Sequence, residues 1–452
     1  MQDKFRLTAA AALMIFLAPA FASAGDSTSA TPASHLPAAP AAPATLNSID
    51  LIAAEAEEPV PGETDLWARI RSGYAINDIN NDLVSKHVNW YATRPDYLAR
   101  TSARASRYLY HVVTELEKRG MPTELALLPI IESAFNPQAN SSAAAVGIWQ
   151  FMPATGKDYN LKQNAFKDER RNVLASTDAA LTYLQRLYNM FGDWQLALAA
   201  YNWGEGNVQK TIRKAQAMGK PTDYESLAHM MPAETRNYVP KLQAVKNIVG
   251  HPEQYNVSLP AIENAAYFTA IDKTSDIDVA VAAQLAEMSI ADFKALNPQF
   301  KRPVITGDEK TKILLPQENA EKFHSNLASF GQALSSWTTH KIASAKVSMA
   351  SLASKFKTTP EVLREANNIP ARSRLKVGST ILVPKLATSA HSDIADSIVE
   401  NAVMALEPER AAAKRKGKGV RGKSKFRTKA SVAVKKLGKP RSRSDRNNRK
   451  KR

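Results

Sequence analysis

The residues most able to do chemistry in this sequence lie within one stretch, 122–155. An apolar run, ELALLPII, ends there at Glu132 and Ser133. A lone carboxylate after such a run is expected at the end of a helix, with its stem packed on apolar surface. Burial of this kind raises the pKa of a carboxyl group. Because a carboxyl group that stays protonated near neutral pH can act as a general acid, Glu132 is the candidate catalytic acid.

A loop and an aromatic segment follow Glu132. The letters NP at 136–137 and NSS at 140–142 indicate the loop. The segment GIWQFMP at 147–153 supplies rings that can stack on sugars and amides that can hydrogen-bond hydroxyl groups. A single Glu on a helix is ordinarily a solvated surface group. This neighbourhood is what favours a catalytic role and a carbohydrate substrate.

Short motifs recur in a characteristic order around this stretch. They are ESAFNP from Glu132, a serine nine positions later, GIWQ at 147–150 and AYNWG at 200–204. Together they resemble the catalytic domain of soluble-type lytic transglycosylases, lysozyme-like enzymes that cut the glycan strands of bacterial peptidoglycan. Trp149 and the segment before residue 122 are similar to the D-type membrane-bound enzymes. The resemblance implies a mainly α, lysozyme-like catalytic domain.

The resemblance also implies how the reaction runs. Glu132 would protonate the leaving oxygen and then, as a carboxylate, take the proton of the 6-hydroxyl of N-acetylmuramic acid. One group that acts first as acid and then as base is chemically consistent. The product would be a 1,6-anhydro sugar, and no water would be consumed. The implied substrate-binding residues are Ser141, Gln150, Met152, Tyr201, Asn202, Glu234 and Tyr238.

Two other functions stay open at this point. A lysozyme-like hydrolase of the same fold would need a positioned water and a second carboxyl such as Glu234, since most glycosidases use two. A non-catalytic scaffold that binds the wall would not need to keep Glu132. The binding residues also have structural alternatives: Met152 and Tyr201 as core, Ser141 as a helix cap, and Glu234 as the partner of a cation.

The net charge of +17 arises from the C-terminal end of the chain. Residues 410–452 contain 20 Lys and Arg and one acid, Asp445, which leaves the rest of the chain close to neutral. The absence of cysteine excludes disulfides, thiol nucleophiles and Cys-ligated metals. It also excludes a lipid-modified N-terminal cysteine, so the lipid anchor common among the resembled enzymes is not implied.

The first 121 residues are predicted to form three segments. Residues 1–24 read as a secretory signal peptide, with a basic start, a short apolar stretch and ASA at 22–24. This predicts an exported protein of the periplasm or cell envelope. Residues 25–62 are rich in Ala and Pro and predict a disordered linker. Residues 63–121 are a helical lead-in, with Asp65 as a candidate N-cap.

The rest of the chain contains the catalytic domain, 122–250, and an internal repeat. The copies, 262–320 and 337–386, each show a helical stretch, an Asn (Asn297 or Asn367) and a β-branched run ending in Pro. They resemble LysM, a small α+β (βααβ) module that binds glycans containing N-acetylglucosamine; the first copy is the more degenerate.

The second copy has one departure from the LysM pattern. Ala345 and Lys346 stand where the LysM family has Gly-Asp, which bears on glycan binding more than on the fold.

The last segment, 387–452, reads as a linker and a disordered basic tail. Its predicted partner is an anionic envelope polymer or a membrane surface, and its alternative is a tail that only adds solubility. The signal peptide argues against nucleic acid. The main predicted partner of the chain is the peptidoglycan glycan strand. Nothing in the sequence calls for a metal or an organic cofactor.

Overall fold

A computed structural model of the chain describes residues 65–307, 310–386 and 392–409. All of them belong to the unit Pro59–Arg452. The predicted signal peptide, the Ala/Pro-rich linker and the basic tail lie outside the described residues. None of the described helices is long and apolar enough to cross a lipid bilayer.

Every regular element described between residues 65 and 268 is helical, which confirms the predicted mainly α class for this part. Three 3₁₀ helices, Thr123–Leu127, Glu169–Arg171 and Pro252–Tyr255, separate longer elements. The α-helices are α1 (Leu66–Ser72), α2 (Asp82–Ala92), α3 (Pro95–Ala105), α4 (Leu109–Lys118), α5 (Leu128–Ser133), α6 (Pro153–Asp158), α7 (Val173–Phe191), α8 (Trp194–Trp203), α9 (Glu205–Ala217), α10 (Tyr224–Ala228) and α11 (Ala233–Gly250).

Side-chain caps fix where several of these helices begin. The Asp65 carboxylate accepts a hydrogen bond from the amide of Trp67, as its predicted N-cap role requires. Asn81, Asn172 and Asp193 cap α2, α7 and α8 in the same way. Each such cap satisfies an amide that has no partner inside its helix, which stabilises the helix by about 1 kcal/mol.

One continuous apolar core joins the lead-in helices to the catalytic region. It includes Leu109 and Val112 of α4, Leu184 of α7 and Ala200 of α8, all fully buried. α11 packs on α2 and α8, and α7 packs on α8. Burying one such leucine stabilises the fold by about 1.5–3 kcal/mol. The lead-in therefore shares its core with residues 122–250.

A buried ion pair ties α11 to the lead-in. The fully buried Glu124 carboxylate accepts hydrogen bonds from the amides of Ala75 and Ile76, both at 2.8 Å. Lys246 of α11 lies 2.9 Å from the same carboxylate and 2.8 Å from Asp78.

Replacing Lys246 by Met is expected to lower the free energy of unfolding by about 3–5 kcal/mol. The reason is that the Glu124 carboxylate would stay buried without its cation. Urea denaturation measures the change. The double variant Glu124→Gln/Lys246→Met should recover part of the loss, because it also removes the buried charge. A single variant within about 1 kcal/mol of the parent would contradict this role of the pair.

The predicted repeat forms two modules of the expected βααβ type, each with an additional short strand pair. In the first module β1 pairs with β4 and β2 with β3, all antiparallel. Its elements are β1 (Thr269–Asp272), β2 (Ile277–Asp278), α12 (Val279–Leu285), α13 (Ile290–Leu296), β3 (Val304–Ile305) and β4 (Lys312–Leu315), followed by α14 (Gln317–Ala328).

The second module has a similar order, without a counterpart of β2 among the described residues, and β5 is antiparallel to β7. Its elements are β5 (Trp337–Lys341), α15 (Met349–Lys355), α16 (Pro360–Ala366), β6 (Ser373–Leu375) and β7 (Thr380–Pro384).

The repeated asparagines explain why the two copies share a pattern. Asn297 donates to the carbonyl of Leu314 and accepts from its amide, both at 2.8 Å. Asn367 makes the same two bonds with Leu382, at 2.8 and 2.7 Å. Both asparagines are 1% exposed. Each one therefore fastens the second helix of its module to the last strand of the repeat.

Residues 392–409 depart from the predicted linker. They form α17 (Asp396–Glu400) and β8 (Leu406–Pro408), and β8 pairs with β6 of the second module. Val399 and Ala402 are buried. These elements are only five and three residues long, too short for a recognisable hydrophobic period, and their order comes from packing on the module.

Candidate active site

Glu132 lies in the last turn of α5, as the sequence predicts. Pro129 falls in the first turn of this helix, where its missing N–H costs no hydrogen bond. The helix ends because Ala134 adopts a left-handed conformation with φ 51°, followed by Phe135 with φ 54°. Leu128 and Ile130 are buried in the core. The chain thus turns away directly after Glu132 and leaves its side chain half-buried at the edge of the core.

The surroundings of Glu132 raise the pKa of its carboxyl group to about 7, mainly through burial. The negative charge of Glu234 raises this pKa further, whereas a hydrogen bond from Tyr238 and the positive charge of Lys241 lower it. The Tyr238 hydroxyl donates to Glu132 Oε1 at 2.5 Å. Glu132 can therefore be protonated or ionised near neutral pH, which suits a group that gives up and takes back a proton.

Helices α8 and α11 carry the candidate residues Tyr201, Asn202 and Tyr238. Tyr201 donates to the carbonyl of Trp149 at 2.8 Å. Burial and the charge of Glu132 hold the pKa of Tyr201 well above its usual value, so its hydroxyl stays protonated. The Asn202 side-chain oxygen accepts a hydrogen bond from Thr235 at 2.8 Å. Asn202 is therefore held by α11, and its amide group can serve as a donor to a ligand.

Buried contacts and a local hydrogen bond hold the GIWQ segment in place. Trp149 is fully buried and its ring nitrogen donates to Thr177 of α7 at 3.0 Å. Gln150 has φ 50° and its side chain donates to the carbonyl of Gly147 at 2.8 Å. Met152, at the start of α6, is 43% exposed. Of the two predicted substrate-binding residues in this segment, Gln150 is half-buried and Met152 is exposed.

Gly147 is required at its position for two reasons. Its φ is +81°, and a Cβ atom there would lie 2.3 Å from the carbonyl oxygen of Arg170. Gly147→Ala is therefore expected to lower the free energy of unfolding by about 2–4 kcal/mol and to displace the GIWQ segment.

Gly192→Ala is the matched control for that substitution. Gly192 also has positive φ, at +67°, but nothing lies within 4 Å of its Cβ position. The Gly192→Ala variant should therefore lose only about 1 kcal/mol of its free energy of unfolding. Thermal melting compares the two variants. Equal losses would contradict the steric role of Arg170.

Ser141 makes a local hydrogen bond within the loop that follows Glu132. Its hydroxyl accepts a hydrogen bond from the amide of Ala145 at 3.0 Å and closes a turn. No hydrogen bond of the described residues joins Ser141 to Glu132. This bond closes a turn and caps no described helix, and the substrate-binding role of Ser141 stays a prediction. Glu234 is exposed on α11, and in the described part of the chain it makes no hydrogen bond to Glu132.

Several supporting residues escape prediction from the sequence. Ser133 donates to the carbonyl of Ile148 at 3.0 Å and joins the end of α5 to the GIWQ segment. Thr235 and Lys241 lie three residues on either side of Tyr238 on α11. Helical spacing from Tyr238 is the signal that could have found them, because residues three or four apart share a helix face.

The arrangement of His, Asp and Glu side chains in the described part of the chain bears on metal binding. No group of three or more His, Asp or Glu side chains there could hold an ion.

Family models match three parts of the chain. The model described as transglycosylase SLT domain matches residues 112–223. The one described as lytic transglycosylase MltD, LysM-like domain, matches 267–332. The LysM domain model matches 348–384. The matches therefore follow the order of a helical domain and two small modules seen in the fold.

Individual proteins are similar to parts of the chain. Membrane-bound lytic murein transglycosylase D of Escherichia coli K12 is 40% identical over 266 residues, which is 59% of this chain and 58% of that protein. A putative tributyltin chloride resistance protein of Alteromonas is 40% identical over 166 residues, 36% of this chain and 77% of that protein. The chain thus spans little more than half the length of the first relative.

A solved structure, the 70 kDa soluble lytic transglycosylase of E. coli, aligns with 38% of this chain and 30% of its own. The TM-score is 0.27 and the identity 20%. From the family models and the sequence relatives, the chain belongs to the family of SLT-domain lytic murein transglycosylases whose helical domain is followed by LysM-like modules.

Proposed function

We propose that this chain is a peptidoglycan lytic transglycosylase that cleaves the bond from N-acetylmuramic acid to N-acetylglucosamine without water. The observation that carries the proposal is the Glu132 carboxyl, whose pKa burial raises to about 7 and which is hydrogen-bonded by Tyr238. The E. coli relative, a membrane-bound lytic murein transglycosylase, supports the same activity. The proposed 1,6-anhydro product follows from the chemistry of a single carboxyl that acts first as acid and then as base.

The first step is cleavage of the glycosidic bond. The protonated Glu132 gives its proton to the bridging oxygen while the bond from that oxygen to C1 of the muramic acid breaks. N-acetylglucosamine leaves with a hydroxyl group at its C4. The carbonyl oxygen of the muramic acid N-acetyl group can stabilise the positive charge at C1, and Asn202 and Tyr201 would hold that N-acetyl group.

The second step restores the enzyme. Glu132, now a carboxylate, removes the proton of the 6-hydroxyl, and the oxygen bonds to C1 to close the anhydro ring. Glu132 ends the cycle protonated, so atoms and protons balance without water. In both steps Tyr238 would hold the carboxyl in place, since it donates to one of its two oxygens. Ser141, Gln150, Met152 and Glu234 remain proposed contacts of the glycan.

The proposed partners follow from the same function. The two LysM-like modules would bind the glycan strand beside the catalytic domain. The basic segment after residue 409 would hold to anionic polymers or to a membrane surface of the envelope by unspecific attraction. An exported protein in the periplasm or cell envelope fits these partners.

Mass spectrometry of the soluble fragments from purified peptidoglycan tests the proposal. We expect fragments that end in 1,6-anhydro-muramic acid, lighter by one water than hydrolysed fragments. Reducing ends would establish a lysozyme-like hydrolase instead. No release of fragments, with the protein still bound to the sacculi, would establish a scaffold.

A further inference from the structure

A large basic cavity lies beside the catalytic domain, where the first LysM-like module meets it. Its volume is about 800 Å³. The catalytic domain contributes Arg104, Arg170, Arg171 and the loop that begins at Asn136. The module contributes Lys294 and Lys301, among others. A cavity of this size can take a ligand of several residues.

Backbone hydrogen bonds fix the two walls to each other. The amide of Asp168 donates to the carbonyl of Gln299 at 2.9 Å, and that of Lys301 to Phe166 at 2.8 Å. The Tyr108 hydroxyl donates to the carbonyl of Ala295 at 2.7 Å. The module is therefore docked by main-chain contacts, and the cavity is a preformed site.

Cations without a carboxylate partner line this cavity. Arg170 is neutralised by Asp168 at 2.7 Å, and Arg107 pairs with Asp292 at 3.1 Å. No carboxylate among the described residues lies within ion-pair distance of the other lining cations. These are Arg104, Arg171, Lys294 and Lys301.

Hydrogen bonds to carbonyl groups use only part of the donors of these cations. Arg104 donates to Ala134 at 2.7 Å through Nε, and Arg171 to Pro137 at 3.1 Å through Nη1. Burial lowers the pKa of Arg104, Arg171 and Lys301. Arg104 and Arg171 are half-buried without a carboxylate at ion-pair distance, which is unfavourable, and a bound anion would offset this; Lys294 and Lys301 are exposed.

Arg104 links the cavity to the catalytic carboxyl. It lines the cavity, and the carbonyl that it contacts belongs to Ala134, two residues after Glu132. The cavity wall also includes Asn136, Gln138 and Asn140, from the loop that follows Glu132. A chain bound near Glu132 could thus extend into the cavity, where amides and separated cations suit several carboxylates better than one phosphate.

We propose that this cavity binds the acidic peptide stem of the murein strand being cut. The inference rests on the proposed function, since it adds a part of the substrate to that site. Arg104, Arg171, Lys294 and Lys301 recognise the peptide carboxylates, and the amide side chains of the loop recognise the peptide bonds. Cleavage then depends on whether the strand carries its peptides.

Two substrates and a charge reversal test the inference. The substrates are purified sacculi and the same strands after an amidase has removed the peptides. For Lys294→Glu, the ratio of kcat/KM on peptide-bearing to bare strands should fall about tenfold. Lys310→Glu, another exposed lysine of the first module outside this cavity, should keep the parent ratio. An unchanged ratio for Lys294→Glu would overturn the inference.

Direct binding separates a failure of the inference from a failure of the proposed function. A synthetic acidic stem peptide is titrated into the full chain by calorimetry. We expect binding that weakens as salt is raised from about 50 to about 300 mM and that is about tenfold weaker in Lys294→Glu. Binding of inorganic phosphate without binding of the peptide would overturn the inference. A chain that cleaves no murein but binds the peptide would refute only the proposed function.

Discussion

Replacing Glu132 by Gln should reduce the release of soluble fragments from purified sacculi by about 10³-fold or more. Both proposed steps depend on this one carboxyl, first as acid and then as base, and an amide can do neither. Gln keeps the size of the side chain and can still accept the hydrogen bond from Tyr238. Glu225→Gln, on the exposed surface of α10, is the matched control and should keep full activity.

The stability of Glu132→Gln separates chemistry from folding. Folding raises the pKa of Glu132 from 4.5 to about 7, so the folded state binds this proton more tightly than the unfolded state. The resulting stability is present below pH 4.5 and is lost as the pH rises through 7. At about pH 8, the neutral Gln should therefore leave the protein at least as stable as the parent. If this variant lysed sacculi at the rate of the parent, the catalytic role of Glu132 would be contradicted.

Tyr238→Phe should lower kcat/KM by about 10- to 100-fold, because the carboxyl loses the group that holds it in place. It should also move the alkaline limb of the pH profile upwards. The hydrogen bond from Tyr238 lowers the pKa of Glu132, so its removal raises that pKa. Glu132 then keeps its proton, and its function as an acid, to higher pH. The pH dependence of kcat/KM measures both effects.

Tyr255→Phe is the control for that substitution. Tyr255 packs against the same core, and no hydrogen bond of its hydroxyl is found in the described part of the chain. Its substitution should leave both the rate and the pH profile unchanged. A limb of the Tyr238→Phe profile that moves to lower pH would contradict the proposed assignment of Glu132 as the acid.

The sequence predicts those parts of the site that depend on local pattern. Glu132 lies at a helix end because the apolar run before it must be buried and because the chain turns at Ala134 and Phe135. The repeat is visible because Asn297 and Asn367 each make a pair of bonds that other side chains of that size cannot make. Both features are encoded within short segments.

Features that depend on contacts between distant segments are not predictable in this way. The turn closed by Ser141, the pairing of Glu124 with Lys246 and the unpaired cations of the cavity appear only when the segments are brought together. The same holds for residues 392–409, whose strand forms on the edge that β6 offers. The charge counted along the sequence directs attention to the tail and does not reveal the cavity.

The central claim, cleavage without water, is tested most directly by digesting purified peptidoglycan in water enriched in ¹⁸O. Each new muramic acid end is then analysed by mass spectrometry. The account predicts that these ends carry no ¹⁸O at C1, because the oxygen that closes the anhydro ring comes from the sugar. One ¹⁸O atom at each new end would contradict it, because water would then be the nucleophile.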